Sequence, residues 1–218
     1  MCNLFTQTHA TEAMRTLFGD ALVAAEAESA GSSGAGRVVA DIYPDGRALV
    51  IRHAEETGEG LVLDRARWGM PTPPAYLEGK RTDRGVTNIR NTGSAHWRRW
   101  LGPSHRCLVP FERFAEPGPG RSVVFFRPGD GRPAFFAGIT TVWTSVRRLA
   151  EGETTDRLFA FLTCPANAEV GAIHPKAMPV VLTDPAEWET WLQAPWPVAA
   201  ALQRPLRDGM LAVEGRPG

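Results

Sequence analysis

The chain has 218 residues, 24 of them basic and 24 acidic, for a formal net charge of zero at pH 7. Its 43% hydrophobic and 22% charged composition is that of a globular protein with a sizeable core, which excludes a disordered polyelectrolyte and any partner held by bulk charge. No apolar run approaches the roughly 20 residues that span a bilayer, and no basic segment followed by an apolar one marks a signal peptide, so the chain reads as cytosolic with Met1 starting the mature protein.

Cys2 is the first residue with chemistry to offer. Its small side chain favours removal of Met1, which would place an α-amine and a thiol on one residue. That amine has a pKa of roughly 7.7 to 8.0 against about 10.4 for lysine, so a useful fraction is neutral near pH 7. A 1,2-aminothiol condenses with an aldehyde to an imine and closes to a thiazolidine; alternatively its thiol attacks an amide carbonyl. The other two cysteines, Cys107 and Cys164, stand alone in apolar segments, where cysteine behaves as a small buried hydrophobe. No disulfide framework, metal site or cofactor is expected.

The spacing of Met14, Leu17, Phe18 and Leu22 predicts a helix over residues 11–25. An Ala, Gly and Ser stretch follows at residues 24–36 and reads as a surface loop. Strands are predicted at residues 48–52, 60–63, 106–109, 122–127, 134–141, 157–163 and 178–183. Asp184 as N-cap, Pro185 at the first helical position and Glu187 at the third form a capping box before Trp188, Trp191 and Leu192. Strands in the middle and helices at the ends predict an α+β fold, a single domain whose residues after about 205 form a loose tail.

Polar groups stand out at five places along this frame. Arg67-Trp68-Gly69-Met70-Pro71 reads as an aromatic turn. Between Lys80 and Arg106 seven basic residues face the single acid Asp83, a local charge of +6 interleaved with Trp97 and Trp100. That mixture fits either a strand of nucleic acid, with phosphate contacts and flat stacking faces, or an amphipathic helix over residues 94–101 with Trp97 and Leu101 packed inward and the arginines in water. Asn88 and Arg90 share one face if extended, as do Glu112, Phe114 and Glu116; a half-buried carboxylate among aromatics has a raised pKa and serves as acid or base. His174 is followed by Pro175 and Lys176 in a short proline-containing loop before a strand.

In this order these segments resemble the SOS response associated peptidase (SRAP) family, whose members recognise abasic sites in single-stranded DNA. The matching pieces are Met1-Cys2-Asn3-Leu4, Tyr43-Pro44, Arg67-Trp68-Gly69-Met70-Pro71, Asn88-Ile89-Arg90, Arg106-Cys107-Leu108-Val109-Pro110 with Phe114-Ala115-Glu116, and Ile173-His174-Pro175-Lys176-Ala177-Met178-Pro179. The resemblance implies a bifurcated, barrel-like, mostly antiparallel sheet with peripheral helices. It implies that Cys2, freed of Met1, captures the ring-opened sugar aldehyde as a thiazolidine crosslink. Asn88 then lines the pocket, Glu116 assists methionine removal and proton transfer, and His174 acts as acid or base at the sugar. Arg90, Trp68, Pro71, Arg98, Arg99 and Lys176 become the DNA contacts of a monomer associated with the nucleoid, with AP-lyase activity at the same site. Thr92 departs from the family pattern, which usually has an acid there, as do Pro117 and the Thr72-Pro73-Pro74 run. Two other readings of the residues stand beside this one: an amidohydrolase with an N-terminal cysteine, and a noncovalent single-strand binding module.

Overall fold

Aliphatic and aromatic runs in the middle of the chain form strands that close on themselves. The computed structural model describes residues 2–8, 11–19, 22–23, 39–54 and 60–214; Met1 and the stretch 24–36 lie outside them. The strands are β1 (Leu4–Thr8), β2 (Leu22–Val23), β3 (Val39–Ile42), β4 (Arg47–His53), β5 (Leu61–Trp68), β6 (Asn88–Ile89), β7 (Arg106–Phe111), β8 (Arg113–Pro117), β9 (Val123–Pro128), β10 (Ala134–Val146), β11 (Glu153–Cys164), β12 (Met178–Pro179), β13 (Val181–Leu182) and β14 (Leu211–Glu214). The helices are α1 (Thr11–Phe18), α2 (Ala95–Arg98), α3 (Ala168–Gly171), α4 (Pro185–Gln193) and α5 (Trp196–Ala199).

Five strands make a closed barrel. β4 pairs antiparallel with β5 and β7, β7 with β10, and β10 with β11. β11 then closes on β5 in parallel, with Leu158 opposite Arg67 and Phe159 opposite Trp68. Closure removes the exposed edges that an open sheet would leave. A second sheet, in the order β14, β9, β8, β1, β3, lies beside it. Phe5 of β1 bridges the two, its ring 5.1 Å from Trp68, 5.6 Å from Phe136 and 6.1 Å from Phe161. Each of these rings is fully buried, worth about 1.5 to 3 kcal/mol of transfer free energy. The fold is α+β and barrel-like, with short helices around mostly antiparallel strands.

Three elements differ from expectation. The segment Arg67-Trp68 is strand and not turn, because parallel pairing to β11, distant in sequence, extends β5 to Trp68. The helix predicted over residues 11–25 is α1, Thr11–Phe18, followed by β2. Leu211–Glu214, placed in a loose tail, forms β14 and covers the edge of β9, Leu211 opposite Pro128 and Val213 opposite Phe126. The cap of α4 is close to the predicted box: Asp184 accepts from the Ala186 amide at 2.9 Å, while Glu187 reaches one residue further back, to the Thr183 amide at 3.3 Å. Trp188, Trp191 and Leu192 of α4 are buried, and the Trp191 indole donates to the carbonyls of Cys107 and Gly138 on the barrel wall.

Candidate active site

Strand register brings the start of the chain to Glu116. β1 and β8 pair antiparallel with Leu4 opposite Ala115 and Phe5 opposite Phe114, so the residues before Leu4 run alongside Glu116 and Pro117. Cys2 is 1% exposed, and its Sγ donates to the Leu4 carbonyl at 3.4 Å. β6 pairs in parallel with β11, Asn88 opposite Phe161, which fixes Asn88 on the other side. Its Nδ2 donates to the Cys2 carbonyl and to Thr87 Oγ1, both at 2.9 Å. Asn88 Oδ1 is buried and accepts no hydrogen bond among the described residues. Such an orphaned acceptor beside Cys2 is costly unless a donor arrives there during the work of the site.

His174 comes from the loop between α3 and β12. Asn167 caps α3 by accepting from the Val170 amide at 3.1 Å, and the His174 amide donates to the Val170 carbonyl at 2.7 Å. The loop ends in β12, paired to β11 through Met178 and Cys164. The result is a His174 Nε2 to Glu116 Oε2 separation of 3.9 Å, with the Glu116 side chain fully buried and that of His174 17% exposed.

Burial sets the proton affinities. It pushes the Glu116 carboxyl up from 4.5 to about 7, so near neutrality this group both gives and takes a proton. Burial, joined by the Glu116 charge, raises the Cys2 thiol well above its ordinary range, which keeps it protonated until a base receives the proton. Burial and the nearby Lys176 charge lower His174, so its imidazole is neutral at pH 7 and ready to accept. Two proton carriers of different affinity thus lie side by side next to a buried cysteine. Among the described residues no group of three or more His, Cys, Asp or Glu is arranged to hold a metal ion.

The remaining predicted site residues separate into two kinds. Arg90, Arg98, Arg99 and Lys176 are exposed, as are Lys80, Arg81 and Arg84, whereas Asp83 is buried and Arg106 turns inward. Arg90 also ties the histidine loop down, donating from Nη1 to the Lys176 carbonyl at 3.0 Å and the Cys164 carbonyl at 3.3 Å. Trp68 and Pro71, expected as DNA contacts, are buried and present no surface. The reason is the barrel closure: Trp68 is inside, 5.2 Å from Phe161 and stacked 6.3 Å from Phe159, and its indole donates to the Thr87 carbonyl at 3.0 Å. It buttresses the segment that carries Asn88. Trp97 and Leu101 are buried, as the helical reading of the arginine stretch expects, though the helix is only Ala95–Arg98; Trp100, beyond it, is buried as well.

Gln203 escaped the sequence reading. Its Nε2 donates to the carbonyls of Arg90 at 2.8 Å and Thr163 at 3.0 Å, and its Oε1 accepts from Thr92, clamping the strand segment of Asn88 to β11. Nothing local marks it. Asn167 escaped that reading as well, although an asparagine two residues after Pro165 is a cap signal that could have marked α3.

Fold and site together define an α+β barrel protein with a thiol, a carboxyl, an imidazole and an amide gathered at the start of its first strand. The family model of the SOS response associated peptidase (SRAP) matches residues 1–214, and the chain belongs to that family. Among solved structures, a protein from Bordetella bronchiseptica is similar at 22% identity and a TM-score of 0.70, covering 97% of this chain and 98% of that one. A phage-related protein from the same organism is 21% identical with a TM-score of 0.63, covering 100% of this chain and 95% of the other. A protein from Bacteroides thetaiotaomicron is 18% identical with a TM-score of 0.61 over 79% and 75% of the two chains. At such identities the likeness concerns the fold. A comparison with curated proteins gives no match. Among the described residues no helix is long and apolar enough to cross a membrane.

Proposed function

We propose that this protein captures abasic sites in single-stranded DNA as a covalent thiazolidine on Cys2 after Met1 has been removed. The observation that carries the reading is the convergence of Asn88, Glu116 and His174 on Cys2 from three separate parts of the chain. Membership of a family named for the SOS response supports a role in DNA damage.

Hydrolysis of the Met1–Cys2 peptide bond consumes one water, activated by Glu116 as base, and frees the Cys2 amine. Asn88 Oδ1, which has no donor among the described residues, then receives an N–H of that amine while Nδ2 keeps the Cys2 carbonyl in place. The neutral amine adds to the open-chain sugar aldehyde. Expulsion of water from the carbinolamine needs an acid, and Glu116, about half protonated near pH 7, supplies the proton. The carboxylate so formed, or neutral His174 beside it, accepts the thiol proton as Sγ adds to the imine carbon. The ring nitrogen keeps the one proton of the iminium and the thiol proton restores Glu116 to its acid form, directly or through His174, so condensation releases one water with no change of oxidation state. The exposed Arg90, Arg98, Arg99 and Lys176 supply phosphate contacts. A chain of zero net charge gains little from bulk attraction, so retention on DNA comes from the covalent bond.

The test is to mix the purified protein with single-stranded DNA carrying an abasic site and run denaturing electrophoresis with intact mass. An adduct that survives denaturation in wild type and vanishes in Cys2→Ala is expected, with Met1 absent from the reactive species. An adduct that persists in Cys2→Ala, or none from Met1-free protein, overturns the proposal. Ammonia release from an amide substrate would replace it with an amidohydrolase.

A further inference from the structure

Of the seven tryptophans, Trp143 alone is exposed. It stands where β10 and β11 run on past the pairing with β5, a ribbon in which Val142 is also exposed. Trp143 is 38% exposed and meets Trp100 edge to face, the ring centroids 6.1 Å apart at 90°. Trp100 in turn lies under the Arg99 guanidinium, 4.2 Å from Cζ to the ring, and Arg99 is held by the carbonyl and Nδ1 of His96. A partly open indole is therefore fixed by a buried one, next to the exposed cations Arg98 and Arg99. The acid opposite Trp143 in register, Asp156, is buried and engaged by Arg47 and Arg67, so it does not oppose an incoming anion at the surface.

Both this platform and the Cys2 pocket are referenced to β11. Asn88 is opposite Phe161 and Trp143 opposite Asp156, five residues away along the strand. At about 3.3 Å per residue that is about 17 Å along β11, and the odd offset sets the two register positions on opposite faces of the strand. Beside the platform the exposed cations are Arg98 and Arg99, Arg99 lying over Trp100. An apolar partner would leave these cations desolvated, whereas a single strand of DNA offers phosphates for the guanidinium groups and flat bases for the indole.

We propose that Trp143 is a stacking platform for a base flanking the lesion, and that Arg98 and Arg99 hold the phosphates beside it. The proposal rests on the reading that the strand enters the Cys2 pocket. It makes Trp143 a positioning residue that sets how fast and in which direction the strand is threaded, and leaves the chemistry to the pocket.

The experiment uses the whole chain and two readouts. Fluorescence anisotropy with lesion-free single-stranded DNA at low salt reports binding without Cys2 chemistry. Trp143→Leu, which keeps apolar contact with Trp100 but offers no aromatic face, is expected to weaken binding about tenfold, and Trp143→Phe to retain most of it, since the flat ring face is what a base stacks on. Crosslinking is then followed on abasic strands trimmed close to the lesion and on strands lengthened stepwise on either side. Lengthening on one side should accelerate wild type and Trp143→Phe but not Trp143→Leu, while the trimmed strand reacts equally with all three. Equal affinity of Leu and Phe variants for lesion-free DNA, or equal acceleration by length, overturns the proposal. Failure of the Cys2 reading looks different: no adduct on any strand, with the anisotropy contrast still present.

Discussion

Two buried polar clusters in this protein treat charge in opposite ways. In the first, Arg67 grips Asp45 with two hydrogen bonds of 2.6 and 2.8 Å and also reaches Asp156 and Glu151, while the fully buried Arg147 donates to the Gly69 carbonyl at 2.8 Å and pairs with Asp45. Burial alone would raise the Asp45 and Asp156 carboxyls. The arginines outweigh it, with Thr154 assisting at Asp156, and hold both below the usual range. In the second cluster burial prevails, and Glu116 rises to about 7 beside a histidine pushed down. A fixed charge with a matched counter-charge holds structure together; a carboxyl left near its midpoint by burial is poised to exchange a proton at cellular pH.

The largest expected contrast is in rate. Glu116→Gln should slow crosslinking on the order of 10²- to 10⁴-fold, the usual range for one acid or base, in a time course of adduct formation. In wild type the same time course should trace a bell against pH with its maximum between about 7 and 8, because Glu116 must be protonated and the Cys2 amine, of pKa roughly 7.7 to 8.0, must be neutral. A flat profile would detach Glu116 from the chemistry.

Stability should separate the clusters in the other direction. Arg67→Met removes a shared guanidinium from Asp45 and Asp156, each of which keeps another arginine, and should cost about 1 to 3 kcal/mol in denaturant unfolding, while the protein that remains folded still crosslinks at the wild-type rate. Glu116→Gln should stabilise at high pH. Between its ordinary 4.5 and about 7 the folded state holds the Glu116 proton more tightly than the unfolded chain does, so wild type loses stability as pH rises through that window, by on the order of 3 kcal/mol. His174 works oppositely: its lowered affinity means stability is lost as pH falls below 6.5. The glutamine variant should therefore gain on wild type steadily from pH 5 to 7, a difference read from paired unfolding curves.

The smallest effect checks a local feature. Asp184→Ala removes the N-cap of α4 and should cost about 1 kcal/mol with no change in crosslinking rate. A loss of activity there would mean that α4 acts on the site through the barrel.

Legibility in the sequence followed the range of the forces. The α4 cap, the strand segments at residues 106–109 and 134–141 and the inward Trp97 and Leu101 were readable because they depend on neighbours three or four places away or on alternation along one strand. β8 was not, since Arg113-Phe114-Ala115-Glu116-Pro117 carries charges and a proline that dilute the pattern. Trp68 resembled a turn residue for lack of any local sign that β11 would recruit it. Trp143 passed unnoticed because its exposure depends on where β5 stops pairing.

Among the candidate site residues, the types were all visible at once: an amino-terminal thiol, an amide, a carboxyl, an imidazole and a set of arginines. Their types limit the available chemistry, as covalent structure alone dictates what each group can donate or accept. What depended on the tertiary structure was which of them are brought together, and in what state. The pairings of β1 with β8 and of β6 with β11 deliver Cys2, Glu116 and Asn88 to one place, and exclusion of water there shifts the proton affinities. Desolvation is a property of the surroundings and not of the residue, so no reading of the chain by itself could have set Glu116 near 7.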